Sequence, residues 1–115
     1  MAVEADGPVA VRWLGQNPNL AALASNRFQS TQAALRFVER LYAAGAQRVI
    51  IPAAAIQEDE TGPYADALVV FLPPEGPARE RVIWMCAVEM GRELGEQELD
   101  PEEYVGTKAV YLWWD

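Results

Sequence analysis

The chain contains no histidine and a single cysteine, Cys86. Catalysis by a serine, histidine and aspartate triad is therefore excluded within one chain, as are zinc sites built from histidine or from four cysteines. One cysteine cannot form an intrachain disulfide, whereas a small secreted domain more often carries an even set. The chain also has no apolar run near the roughly 18 residues of a membrane span, and no basic and apolar leader at its start. We therefore expect a cytoplasmic protein.

Basic residues are also scarce, with nine against seventeen acidic ones in 115 residues, and the net charge is −8. The deficit lies in the second half of the chain. Residues 1–57 hold five arginines and three acidic residues, whereas residues 58–115 hold four basic and fourteen acidic residues. An acidic surface repels phosphate backbones, so the charge disfavours nucleic-acid binding. It leaves a basic protein partner open, whose approach the acidic surface would accelerate by electrostatic steering.

Six elements of secondary structure are predicted, in the order β-α-β-β-α-β. Helices are predicted from an N-cap at Ser30 to Gly45 and from Gly76 to Gly95, because apolar residues recur there at helical spacing. The apolar run at 82–88 would also suit a buried strand, and the length of the segment favours the helix. β-Branched and aromatic runs indicate strands over residues 8–14, 48–56, 65–72 and 108–114.

This order is typical of the ferredoxin-like fold, an α+β two-layer sandwich in which two helices cover one face of an antiparallel four-stranded sheet. The predicted strand order, 4-1-3-2, places the second strand at an edge, where Pro52 is tolerated because proline cannot donate to a ladder. It places the third strand inside, where its continuous hydrophobicity fits burial on both faces. We expect a single domain over residues 1–115, with the order of an N-terminal arm, residues 1–7, left open.

Alternation along the strands assigns the sheet face that the helices would leave open. Charged residues within the predicted central strands should point outward, and they set the parity of their neighbours. The predicted open face therefore comprises Arg12, Leu14, Asp66, Leu68, Val70, Tyr111 and Trp113. Such a patch exceeds what a monomer normally exposes, so we expect a homodimer or a protein partner there. The alternative is that the long loop or the N-terminal arm covers it.

One basic residue is a weak candidate for an anion contact. Arg27 lies just before the cap of the first predicted helix, and helix starts attract anions through unpaired N–H groups. No glycine-rich phosphate loop surrounds it. The acidic residues Glu58, Asp59 and Glu60 lack the spacing of a calcium loop and are predicted to be a solvated hairpin tip, so no metal site is predicted.

Two residues of the second predicted helix are chemically notable. Glu89 would serve as a general acid or base if it were buried, but charged neighbours favour a solvated position. Cys86 lies in an apolar run with no histidine to activate it, which predicts a buried, inert thiol.

The sequence thus favours a non-catalytic acidic binding or regulatory domain that self-associates or docks a partner through its open sheet face. An inhibitor or immunity-type role would suit the charge. The alternative is a dimeric α/β-barrel enzyme or small-molecule-binding protein with a pocket between two facing sheets. Its chemistry would rest on Arg12, Asp66, Tyr111 or a bound cofactor. No catalytic residue and no cofactor is predicted from the residues themselves.

Overall fold

The computed structural model describes residues 6–94 and 108–114, and for residues 91–94 it describes the backbone only. Within these residues the protein is a small α+β structure of four α-helices, a 3₁₀ turn and three strands. In chain order the elements are α1 (Ala10–Gly15), α2 (Ser25–Phe28), α3 (Thr31–Ala44), β1 (Arg48–Ile50), the 3₁₀ turn (Ala53–Ala55), β2 (Ala67–Phe71), α4 (Pro77–Leu94) and β3 (Ala109–Trp113). No helix in the described ranges is long and apolar enough to cross a membrane.

The three strands form an antiparallel sheet in the order β1-β2-β3. The free side of β1 is covered by the N-terminal segment, because Val9 bridges Ile50 and the carbonyl of Pro8 accepts from the amide of Ile51 at 2.9 Å. A Cβ atom at Gly7 would collide with the carbonyl oxygen of Ile51, so only glycine fits this close approach. β2 is thus central, as the hydrophobicity of residues 65–72 predicted.

The predicted four-stranded ferredoxin-like sheet is wrong, because residues 8–14 do not form an interior strand. They enter the helix α1, which packs against α3 and β1. Ala10 and Leu14, one helical turn apart, are both buried. The same residues fit an alternating strand pattern and a helical one, and burial against α3 selects the helix.

The predicted strand over residues 48–56 is also too long. β1 ends at Ile50, and Pro52 introduces the 3₁₀ turn. The helix predictions are confirmed. Ser30 caps α3 by accepting a hydrogen bond from the amide of Ala33 at 3.0 Å, and residues 82–88 lie within α4.

The main core lies between one face of the sheet and the helices. Its side chains from the sheet are Val49, Leu68, Val70, Val110 and Leu112, all buried, and they pack with apolar residues of α1, α3 and α4. A smaller cluster lies on the other face and comprises Ile50, Val69, Ala109 and the half-buried Phe71. The two clusters show which strand residues face the helices and which do not.

Candidate functional site

A partly buried ion pair between Arg27 and Glu89 joins α2 to α4. The Glu89 side chain is only 3% exposed, and its two oxygens accept from Nε and Nη2 of Arg27, the second at 3.1 Å. The indole Nε1 of Trp114 also donates to Glu89, at 3.0 Å. A two-pronged contact to guanidinium is among the stronger hydrogen-bonded pairs in proteins. Glu89 is therefore held in place by a cation and by the last described residue after β3.

A strained turn presents Arg27 to this carboxylate. α2 is a single helical turn flanked by two non-glycine residues in the left-handed region, Ala24 with φ 43° and Gln29 with φ 67°. Each such residue costs about 1–2 kcal/mol. The turn persists because its surroundings hold it, and the amide of Ala24 donates to the carbonyl of Ala65 at 2.9 Å.

Side-chain hydrogen bonds also hold the segment of residues 19–22 that leads into this turn. Thr31 donates to the carbonyl of Asn19 at 2.6 Å and accepts from the amide of Ala22 at 2.8 Å. The buried Asn19 side chain donates in turn to the carbonyl of Gly62 at 3.0 Å. The loop before α3 is therefore a fixed scaffold rather than a loose connection.

Aromatic rings form the base of the ion pair. The Arg27 guanidinium lies 4.7 Å from the centre of the Phe28 ring, a distance suited to a cation–π contact. Phe28 also contacts Phe37 and Trp114, with ring centres 5.2 and 5.4 Å apart respectively. The charges of Arg27 and Glu89 thus neutralise each other beside a cluster of aromatic rings.

A cleft of about 450 Å³ opens beside the ion pair, between α3 and α4. Its polar residues are Arg27, Arg40 and Glu89, and the Arg40 guanidinium lies 5.7 Å from the centre of the Phe37 ring. The apolar side of the cleft is in contact with solvent, since the Trp84 side chain is 50% exposed. The remaining residues that line it are Phe37, Met85 and Val88.

Cys86 lies on α4 and is buried, as predicted. Desolvation by burial, together with the negative charge of Glu89, raises the pKa of its thiol from 9.0 to about 12. The thiolate, which is the nucleophilic form, is therefore scarce at neutral pH.

We expect the Cys86 thiol to resist a disulfide reagent such as dithiobisnitrobenzoate at pH 8 in the folded protein and to react completely in guanidinium chloride. The absorbance of the released thionitrobenzoate measures both. Above pH 9 the thiol of the unfolded chain loses its proton, whereas the Cys86 thiol of the folded protein keeps it. The contribution of Cys86 to stability is therefore intact below the ordinary pKa of 9.0 and declines as the pH rises toward 12. Stoichiometric labelling of the folded protein within seconds would contradict the burial of Cys86.

The sheet face away from the helices forms a second candidate surface, which we call the aromatic face. The strand register places Val9, Ile50, Val69 and Tyr111 in one row across it. Tyr111 is 45% exposed and Trp113 is 43% exposed, whereas Ile50 and Val69 are buried. Its described members are Val9, Arg48, Ile50, Ala67, Val69, Phe71, Ala109, Tyr111 and Trp113.

The structure separates the residues that sequence alternation grouped together. Tyr111 and Trp113 lie on the aromatic face, but Leu68 and Val70 pair with Leu112 and Val110 on the helix-covered face and are fully buried. The predicted outward parity of β2 is therefore inverted.

The other members of that group lie outside the strands. Leu14 is buried on α1, and Arg12 is exposed on the same helix. Asp66 directly precedes β2 and is half-buried. The structure therefore does not join Arg12 and Asp66 to Tyr111 on one strand surface.

The remaining sequence features concern the acidic residues and the N-terminal arm. Glu58, Asp59 and Glu60 are exposed between the bridged residues Gln57 and Tyr64, as a hairpin tip should be. No group of three metal-ligating side chains occurs in the described part of the chain. The sequence also predicts an acidic turn at residues 100–103, and this turn and the first five residues of the N-terminal arm lie outside the described residues. Residues 6–7 of that arm are placed, and the carbonyl of Asp6 accepts from the amide of Ala53 at 2.8 Å.

The prediction that Glu89 is solvated is wrong, and with it the sequence missed the cleft. A usable signal was present, because Val82, Cys86 and Glu89 follow one another at helical spacing of four and three residues on the buried stripe of α4. A carboxylate on such a stripe requires a partner. Nothing local indicates that the partner is Arg27, 62 residues away.

Comparisons of the chain with protein-family models, curated proteins and solved structures found no significant match. Function must therefore be argued from the two surfaces themselves.

Proposed function

We propose that the protein is a non-catalytic cytoplasmic binding domain that self-associates through its aromatic face. The observation that carries this proposal is the charge of that face. The chain has seventeen acidic residues, yet none lies among the nine described members of the face, and the one charged member is Arg48. Among the described strand surfaces, this face exposes aromatic rings and carries no acidic residue.

The composition of the face supports a second copy as its occupant. Two chains of charge −8 repel each other at a distance, so they associate best where no carboxylates are brought together. A twofold contact places the same patch on both chains, and a patch without acidic groups avoids like-charge pairs across the interface. Exposed tyrosine and tryptophan are also the residues that most often dominate binding energy at protein interfaces.

The position of the exposed rings strengthens the proposal. Tyr111 and Trp113 alternate with the buried Val110 and Leu112 on a strand whose register is fixed by β2. The backbone that carries the exposed rings is therefore already ordered, and a partner that covers them has only their side-chain rotamers left to fix.

The test is sedimentation equilibrium of the wild type and of Trp113→Glu over a wide concentration range. We expect a concentration-dependent dimer for the wild type. Loss of an interface tryptophan and burial of a charge should weaken it by about 2 kcal/mol, or roughly thirtyfold in the dissociation constant.

Leu20→Glu provides the matched control, because Leu20 is 83% exposed in a loop outside the aromatic face. It should leave the dissociation constant unchanged. A wild-type protein that stays monomeric at all concentrations would overturn the proposal, as would equal weakening by Leu20→Glu. If Trp113→Glu instead unfolds a protein that was monomeric throughout, the face is covered within its own chain.

A further inference from the structure

We propose that the cleft between α3 and α4 binds a small organic acid, a monocarboxylate joined to a flat apolar group. This site is distinct from the aromatic face, because none of its lining residues lies on a strand. A volume of about 450 Å³ suits a ligand of this kind, since small-molecule sites typically measure about 300–1,000 Å³.

The Arg27 guanidinium of the cleft is held in position before any ligand arrives. The Arg27 guanidinium carries five N–H donors, of which the hydrogen bonds to Glu89 use Nε and Nη2. That contact and the Phe28 ring below it set the plane of the guanidinium. Arg40 adds a second guanidinium from α3, placed over the Phe37 ring. A carboxylate thus meets planar donors that need little further ordering.

The apolar part of the cleft presents surface that remains in contact with water. Trp84 and Val88, one turn apart on α4, are 50% and 44% exposed. Met85 and Phe37 continue this surface into the cleft. A flat apolar body placed against the indole would remove this surface from water, which is favourable in proportion to the area covered.

The charge of the lining favours a monoanion over a phosphate. Two arginines and one glutamate give the cleft a net charge of +1, in a protein whose total charge is −8. A monocarboxylate neutralises this charge. A phosphate dianion would exceed it and would also face the Glu89 carboxylate, which is repulsive at short range.

The experiment is titration of the full chain with 2-naphthoate, followed by NMR of the tryptophan indole N–H signals. Trp84→Phe identifies the Trp84 signal, which is expected to shift more than those of Trp13, Trp113 and Trp114. The amide 2-naphthamide keeps the ring without the charge, and acetate keeps the charge without the ring. Both should bind at least about tenfold more weakly than 2-naphthoate, since each lacks one half of the proposed recognition.

A pair of variants on α3 supplies the decisive comparison. Arg40→Gln removes an exposed guanidinium that lines the cleft. It should raise the dissociation constant for 2-naphthoate by about tenfold or more, because a charge-assisted hydrogen bond is lost. Arg36→Gln removes an exposed arginine of the same helix that does not line the cleft, and should leave the affinity unchanged.

Three results would overturn the proposal. They are equal weakening by the two variants, equal binding of 2-naphthoate and 2-naphthamide, and a shift that is not centred on Trp84. None of these results depends on whether the aromatic face forms a dimer, so the two proposals can fail independently.

Discussion

Replacing Arg27 by alanine is expected to lower the free energy of unfolding by about 3 kcal/mol, because the buried Glu89 carboxylate loses both of its hydrogen bonds to the guanidinium. The Glu89 carboxylate is only 3% exposed and cannot recover its hydration without local opening. The variant also removes the guanidinium above the Phe28 ring. A loss of this size is a large part of the stability of an ordinary small domain.

Replacing the other partner should cost less. In Glu89→Gln the amide oxygen can still accept from the Trp114 indole, and Arg27, whose side chain is 24% exposed, can reach water. The expected loss is about 1–2 kcal/mol. The double variant Arg27→Ala/Glu89→Gln should therefore be more stable than Arg27→Ala alone. The glutamine removes the buried negative charge that has lost its guanidinium.

Chemical denaturation followed by circular dichroism gives all three values. Arg36→Ala, which replaces an exposed arginine of α3, serves as the control. Its free energy of unfolding should stay within about 0.5 kcal/mol of the wild-type value. A cost for Arg27→Ala no greater than that of the control would mean that the ion pair does not hold the site together.

Replacing Leu68 by alanine is expected to lower the free energy of unfolding by about 3 kcal/mol, because a fully buried leucine leaves both lost burial and a cavity. Leu68 lies in the central strand against Leu112 and is surrounded by the main core. The variant should not affect self-association, since its side chain does not reach the aromatic face.

Trp113→Ala should show the opposite behaviour. Its side chain is 43% exposed, so the monomer should lose about 1 kcal/mol or less. Self-association should weaken as it does in Trp113→Glu. Urea denaturation at a concentration where the wild type is monomeric separates the two effects, and a larger loss for Trp113→Ala than for Leu68→Ala would contradict the observed facing of β2.

The residues with clear local signals were predictable. Ser30 and Gly45 bound a helix whose apolar spacing leaves no alternative, and Gly45 ends it with φ 126°, a conformation that favours glycine. The centre of the sheet was predictable from the uninterrupted apolar run of residues 67–72. The exposed parity of Tyr111 and Trp113 was predicted correctly.

The parity of β2 could not be read from its own residues. Every position from Ala67 to Val70 is apolar and buried, so alternation carries no information there. The predicted parity rested on Asp66, which lies just outside the strand and therefore does not obey its alternation. The facing of Leu68 follows only from its pairing with β3.

The fold and the cleft could not be predicted from the sequence for a related reason. Ala10 and Leu14 satisfy helical spacing as well as they satisfy alternation, and contact with α3 decides between them. Arg27 and Glu89 meet only because a braced turn with two left-handed residues carries one to the other. Long-range pairs of this kind have no local sequence signature.

The short extended segment of residues 6–9 limits how copies of this sheet can grow. Val9 bridges Ile50 at the outer side of β1, and the carbonyls of Pro8 and Asp6 accept from the amides of Ile51 and Ala53, so that side offers no template to a neighbouring chain. An open strand edge is a common starting point for fibrous aggregation. With the outer side of β1 already filled, strand-by-strand addition cannot begin there. Two copies that meet through the aromatic face instead form a closed pair, because a twofold contact uses the same patch on both chains.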